Sequence, residues 1–273
     1  MDADDVVPAS RAILRSDFGD RRLFLRFATE HPACRALVAE GDGEIVGTAV
    51  GSVHGPVGWV GAIWTDPTWR GKGIGSKLTD ETIAGLLDAG CRTLVLVASQ
   101  QGLPMYERRG FEIESQYHIL EADGLDPAVA PVQDPRIRAF APGDLEAMAA
   151  LDLAASGEDR RHLLAAFAES SGTRVLDRDD GTIGGFVVRA PWGGGATIAE
   201  DPVDALAIIH ARRLAAGPGK RVRAGVLSVN RAGLEALRVA GWAEAWSAPR
   251  LVRGDPLDYR PLWLWGQFNH ALG

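Results

Sequence analysis

The chain has 273 residues, enough for two domains of about 130 each. Its 46% hydrophobic and 24% charged residues are those of a globular protein and exclude disorder as the default. A formal net charge of −7, with no long run of Lys or Arg, excludes nucleic acid as an expected partner. Residues 9–31 have helical character, with Ile13, Leu14, Phe18, Leu23, Phe24 and Phe27 available for a buried face, and Pro32 ends the region. Residues 1–8 make a poor strand. Three strands follow at 34–39, 45–53 and 57–65, separated by turns at 40–44 and at Gly55-Pro56, so an antiparallel meander is expected. A helix over 73–89 is stopped by Gly90, an apolar strand spans 93–98, a short helix 103–109 and a closing strand 111–120. The mixed order predicts an α/β fold, with a mixed, mostly antiparallel sheet flanked by helices.

Residues 122–135 contain three prolines and are expected to link two domains, with 1–125 before the linker 126–135 and 136–273 after it. Beyond it a similar order returns. Helices are expected at 144–153, 160–169, 203–216 and 231–240, and strands at 174–177, 183–189, 196–199, 222–227 and from Gly241-Trp242 onward. Asp159 and Arg160 read as a helix start, with Arg160 solvated, or else as part of an acceptor site. Leu262, Trp263, Leu264 and Trp265 alternate as in a strand buried on both faces.

The two cysteines, Cys34 and Cys91, are expected as free thiols in a reducing compartment. The six histidines stand at no metal-ligand spacing, so no metal is expected. No apolar run approaches the ~20 residues of a membrane span, and the acidic start lacks a signal sequence. The expected location is the cytoplasm, without a membrane partner, as a monomer or homodimer.

The chemistry is concentrated where the strand 57–65 runs through Asp66-Pro67-Thr68-Trp69-Arg70-Gly71-Lys72-Gly73-Ile74-Gly75-Ser76 into a helix. A helix start carries unpaired N–H groups and partial positive charge, and glycines let a phosphate approach closely. The spacing excludes a P-loop, because Ser76 stands where Gly-Lys-Ser/Thr would begin. It excludes the dinucleotide pattern G-x-G-x-x-G, because Ser76 also stands at its third glycine. The pattern that fits is Arg-x-x-Gly-x-Gly, on Arg70, Gly73 and Gly75.

This segment resembles the acetyl-CoA signature of the GCN5-related N-acetyltransferase (GNAT) superfamily. Gly102-Leu103-Pro104-Met105-Tyr106-Glu107-Arg108-Arg109-Gly110-Phe111 is similar to the superfamily's second motif, at the usual separation. The resemblance implies that the backbone of Ile63, Trp64 and Thr65 pairs with the pantetheine arm. It implies that the N–H groups of Arg70, Gly71, Lys72, Gly73, Ile74, Gly75 and Ser76 hold the pyrophosphate. It also implies that Tyr106 protonates the departing thiolate. Many members carry an Asn in the loop before that tyrosine; here Ser99, Gln100 and Gln101 stand there, and Gln101 or Ser99 would supply its hydrogen bond. Many also carry a Glu in the strand 57–65; here there is none, which leaves Glu30 and Glu40 as candidate bases.

The stretches 152–160, 249–254 and 265–273 resemble the C-terminal domain of two-domain GNAT proteins. The corresponding helix of that half starts Glu200-Asp201-Pro202, without the signature and with acids that would repel a pyrophosphate. The implied protein is a tandem GNAT fold with one acetyl-CoA site, in its first half. It would transfer acetyl directly to a primary amine, on a small molecule or peptide, in a ternary complex. The alternative is a non-catalytic acyl-CoA-binding or sensor protein that keeps the fold.

Overall fold

The computed structural model describes every residue except Asp17. Its chain forms two compact units. The first comprises Met1–Glu112, Leu251–Pro256 and Asn269–Gly273. It starts with α1 (Val6–Leu14) and α2 (Arg22–Glu30), where one helical region was expected. Gly19 at φ +70° lies between them, a left-handed torsion incompatible with a continuous helix. The break also frees Leu14, Phe18 and Leu23, which are exposed, whereas Ile13 and Phe24 are buried as expected. Asp17, within the expected helix, lies outside the described residues.

The meander is β1 (Cys34–Gly41), β2 (Glu44–His54) and β3 (Val57–Thr65), all antiparallel. Its first turn is the two-residue Asp42-Gly43, with φ of +51° and +78°, the mirror-image turn that matches strand twist. Its second is Gly55-Pro56, with Gly55 at φ +66°. Among the described residues no strand precedes α1, and β1 forms the sheet edge.

The helix α3 (Ile74–Asp88) buries Leu78, Thr79, Thr82, Ile83 and Leu86, one stripe at helical spacing. It lies directly on the meander because β2 and β3 present glycines there. A Cβ on Gly47 would come within 2.8 Å of Leu78, and one on Gly58 within 3.1 Å of Leu86. The apolar strand β4 (Thr93–Val97) runs parallel to β3, and α4 (Leu103–Glu107) follows it. Two late segments complete this unit. Thr93 Oγ1 donates to the Asp255 carbonyl at 2.8 Å, and Ser52 Oγ to the Ala271 carbonyl at 2.7 Å. Cys34 and Cys91 are free thiols.

The second unit comprises Ile113–Arg250 and Leu257–Phe268. Compactness therefore groups the chain differently from a single cut at the proline-rich stretch. The strand β5 (Glu112–Asp123) enters this unit and pairs antiparallel with β10 (Arg221–Leu227). A five-stranded antiparallel sheet is built from β6 (Ile137–Ala139), β7 (Arg174–Asp177), β8 (Ile183–Val187), β9 (Thr197–Ala199) and β12 (Leu264–Gly266). The helices are α5 (Leu145–Ser156), α6 (Arg161–Phe167), α7 (Pro202–Ala216) and α8 (Arg231–Val239), and β11 is Ala243–Gly254. Ile208, Ile209, Val226, Leu237 and Trp265 are among the residues of the core.

Two expectations are corrected here. Trp263 closes a single 3-10 turn, and Leu262 is 52% exposed, so the strand buried on both faces starts only at Leu264. Arg160 is not solvated: it is 1% exposed and bonds both oxygens of Asp152 at 2.9 and 2.7 Å.

Candidate active site

The site is assembled from β3, the loop after it, α3, β4 and α4, all in the first unit. In β3, Trp64 pairs with Thr48 and Gly61 with Val50, so Ala62 and Ile63 together oppose Ala49 alone. This is a β-bulge, and Ala62 takes φ +51° to make it. Thr48 Oγ1 locks it by donating to the Ala62 carbonyl at 2.9 Å. Pairing with β4 covers only residues 57–59 of β3. Beyond Trp59, the edge of β3 that faces β4 carries no ladder bonds, an extended edge ready to receive amide groups. Ile63 is packed against the buried cluster that includes Val60, Leu96 and Tyr106, whereas the Trp64 indole is buried and donates to Ser16 Oγ at 2.9 Å.

The loop is stiffened by its own side chains. Asp66 Oδ1 accepts from the Thr68 N–H at 2.9 Å and the Thr68 hydroxyl at 2.7 Å, capping the turn Pro67–Trp69. Those bonds hold the Asp66 carboxyl below the usual carboxylate range. Lys72 Nζ lies 4.0 Å from the centre of the Trp69 ring, a cation–π contact. Arg70 is exposed, and its Nε donates to the Thr65 carbonyl at 3.4 Å.

Gly71 and Gly73 stand at φ +78° and +81°, torsions that side chains resist, and a Cβ on either would meet nothing within 4 Å. Gly73 caps α3 without a side chain, and the first turn of α3 contains no acid. The N–H groups of Ile74, Gly75 and Ser76 therefore point out of a positive helix end into open space. The helix α7 is the contrast. Asp201 accepts from the Val203 N–H at 2.7 Å, and Asp204 stands in its first turn. The first helix start fits an anion; the second is closed to one.

Tyr106 is fixed by Arg109, whose guanidinium bonds Asp80 at 2.6 and 2.9 Å, the Met105 carbonyl at 2.9 Å and the Ser76 carbonyl at 3.3 Å. This clamp ties α4 to α3. The Tyr106 ring meets Phe111 edge-on at 6.0 Å, and its hydroxyl has no hydrogen-bond partner among the described residues. Burial pushes this phenol up to about 12, with the nearby Arg109 charge opposing the shift. Ser99 Oγ accepts from the Gly102 N–H at 3.1 Å at the start of α4, and its proton remains available to donate; Gln101 is exposed. Glu30 ends α2 and Glu40 lies at the bulge of edge strand β1, so neither belongs to the elements that build the site.

Sequence reasoning missed the Ala62 bulge with its Thr48 lock, and the Arg109–Asp80 clamp. Gly61 beside the bulge is the one local signal that could have found it, whereas the clamp joins residues 29 apart. Tyr106 makes a direct prediction. The chain has three tyrosines, and burial raises all of them, Tyr106, Tyr117 and Tyr259. The difference between the 295 nm absorbance titrations of wild type and Tyr106→Phe should show no phenolate step near pH 10 while the fold persists; a one-tyrosine step there would place the Tyr106 hydroxyl in water.

The sequence model of the Acetyltransferase (GNAT) family matches residues 5–111. The fold is also that of solved proteins over nearly the whole chain. A protein of Pyrococcus horikoshii assigned to the acetyltransferases aligns over 100% of this chain and 94% of its own, at a TM-score of 0.83 and 19% identity. A GCN5-related N-acetyltransferase from Sphaerobacter thermophilus covers 94% of this chain and 96% of its own, at TM-score 0.66 and 17% identity. A tandem GNAT protein from the clavulanic acid biosynthesis pathway covers 93% and 96%, at TM-score 0.62 and 14% identity. Residues 5–111 match that family's sequence model, and the whole chain shares the fold of these solved proteins, a tandem GNAT protein among them. Among the described residues no cluster of His, Cys, Asp and Glu is placed to hold a metal, and no helix is long and apolar enough to cross a membrane.

Proposed function

We propose that residues 1–125 bind acetyl-CoA and transfer its acetyl group directly to a primary amine in a ternary complex. The observation that carries this is the opening of β3 away from β4 beside an uncapped, acid-free helix start with Gly71 and Gly73. Acetyl-CoA supplies an activated thioester. The N–H groups of residues 70–76 hold its pyrophosphate, with Arg70 and Lys72 adding positive charge at the same loop. The freed edge at Ile63, Trp64 and Thr65 pairs with the pantetheine amides as an added strand, and a backbone N–H of that edge polarises the acetyl carbonyl. Held in this way, the carbonyl carbon lies open to the amine, and most of the acceleration is positional.

Tyr106 enters when the carbon–sulfur bond breaks. Its phenol keeps its proton through neutral pH because burial disfavours the phenolate, so the hydroxyl donates to the sulfur as charge builds there. β3 itself carries no acid, and the ammonium proton of the acceptor leaves through water. Because α7 is capped by Asp201, the chain has one acetyl-CoA site. A calorimetric titration should give one acetyl-CoA per chain; two would show that the second unit binds it as well.

A further inference from the structure

Three side chains of the second unit, outside the acetyl-CoA site, meet on one face of the strands β11, β5 and β10. His118 belongs to β5 and Glu244 to β11, and Ser228 follows β10 directly, in the turn before α8. His118 opposes Val226 of β10, and Ser228 stands two residues further on, so both side chains project from the same face. They form a hydrogen-bonded chain. His118 Nε2 lies 2.8 Å from Ser228 Oγ, and His118 Nδ1 lies 3.1 Å from Glu244 Oε1.

The acid settles the direction of both bonds. The hydrogen bond from His118 holds the Glu244 carboxyl below the usual carboxylate range, and Arg238 Nη2 donates to its Oε2 at 3.4 Å. An ionised carboxylate only accepts, so Nδ1 carries the imidazole proton. Nε2 of the neutral ring is then an acceptor, and the Ser228 hydroxyl donates to it. A nucleophile, its base and the group that orients the base are thus in line.

The site is open to reagents. Ser228 is half-buried, Val229 beside it is 52% exposed, and residues 243–247 of β11 are exposed. The Val229 N–H, the next amide along the chain, has no hydrogen-bond partner among the described residues. The start of α8 brings partial positive charge to the same turn. Both favour the oxyanion that forms when a serine attacks a carbonyl. The turn itself is fixed, because the Asn230 side chain caps α8 by accepting from the Gly233 N–H at 2.9 Å.

The geometry points to a second activity of this chain, hydrolysis of small carboxylic esters at Ser228, with His118 as the base and Glu244 as the residue that positions it. Ser228 Oγ attacks the ester carbonyl carbon as its proton passes to His118 Nε2. The carbon–oxygen bond to the alcohol breaks, and the alcohol leaves with that proton. Water then attacks the acyl-serine and gives a proton to the same nitrogen. The bond to Ser228 Oγ breaks, the serine takes the proton back, and the acid is released. Trp246, two residues beyond Glu244 in β11, projects from the same face and offers an apolar contact to the substrate. The activity uses nothing of the acetyl-CoA cradle and stands or falls without it.

The test is hydrolysis of p-nitrophenyl acetate by the full chain, with peptide mass analysis after treatment with phenylmethanesulfonyl fluoride. The wild type should release p-nitrophenol with saturation kinetics and take up one sulfonyl group, on Ser228. Ser228→Ala should lose both. His118→Gln should lower kcat by about 10²–10⁴-fold. Glu244→Gln should lower kcat and leave KM nearly constant, a split that a merely structural contact would not produce. The labelling needs no variant, so it decides the question even if Ser228→Ala fails to fold. Turnover that survives Ser228→Ala, a sulfonyl group on any other residue, or no labelling at all would overturn the activity and leave the three side chains as a tie between strands.

Discussion

Gly73→Asp should abolish acetyl-CoA binding while the protein stays folded. A Cβ at Gly73 meets nothing within 4 Å, so the substitution creates no clash in the protein itself. Its cost to folding is that of placing a side chain at φ +81°, about 1–2 kcal/mol and least for Asp and Asn. The cost to binding is larger, because a carboxylate then stands where the pyrophosphate is held. Two like charges about 4 Å apart, at an effective dielectric of about 20, repel by about 4 kcal/mol, nearly three decades in affinity. Gly43→Asp is the matched control, because Gly43 has φ +78° and open space above it but lies in the β1–β2 turn. Calorimetry should show affinity lost in the first variant and kept in the second. Unchanged affinity in Gly73→Asp would remove the pyrophosphate from this loop.

Tyr106→Phe should lower kcat by about 10²-fold and leave KM for acetyl-CoA nearly constant. The ring and its edge contact with Phe111 remain, and the hydroxyl gives up no hydrogen bond among the described residues, so stability should hold. The thioester sulfur is a weak acceptor in the ground state, whereas the departing sulfur carries charge. The lost interaction is therefore one made mainly in the transition state. General acids contribute roughly 10²–10⁴-fold, and a thiolate is already a good leaving group, which sets the lower end. A variant with wild-type kcat, under conditions where chemistry limits the rate, would make Tyr106 a packing residue and leave the proton to water.

Elements defined by local chemistry were legible in the sequence. The turns Asp42-Gly43 and Gly55-Pro56 fix the meander, the stripe from Leu78 to Leu86 fixes α3, and the glycines of 71–75 mark its open start. What the sequence concealed depends on distant partners. The three-residue strands β6 and β12 have too little pattern of their own and exist through pairing with β7 and β9. The Ala62 bulge is made by Thr48 on the neighbouring strand. Arg160 looks solvated until Asp152 is brought to it by the turn after α5, where Gly157 takes φ +72°. The grouping of Leu251–Pro256 and Asn269–Gly273 with the first unit has no local signal, since single bonds such as Ser52 to Ala271 join residues 219 apart.

The central claim is that the opened edge of β3 and the start of α3 hold acetyl-CoA so that an amine can take its acetyl group. The most direct measurement is release of free coenzyme A thiol from acetyl-CoA across a panel of primary amines, from small amines and amino acids to peptide N-termini. The account predicts release that depends on at least one amine and falls in Tyr106→Phe and Gly73→Asp. Tight, stoichiometric acetyl-CoA binding with no amine-dependent release across the panel would contradict it, and would make the protein an acyl-CoA-binding sensor rather than a transferase.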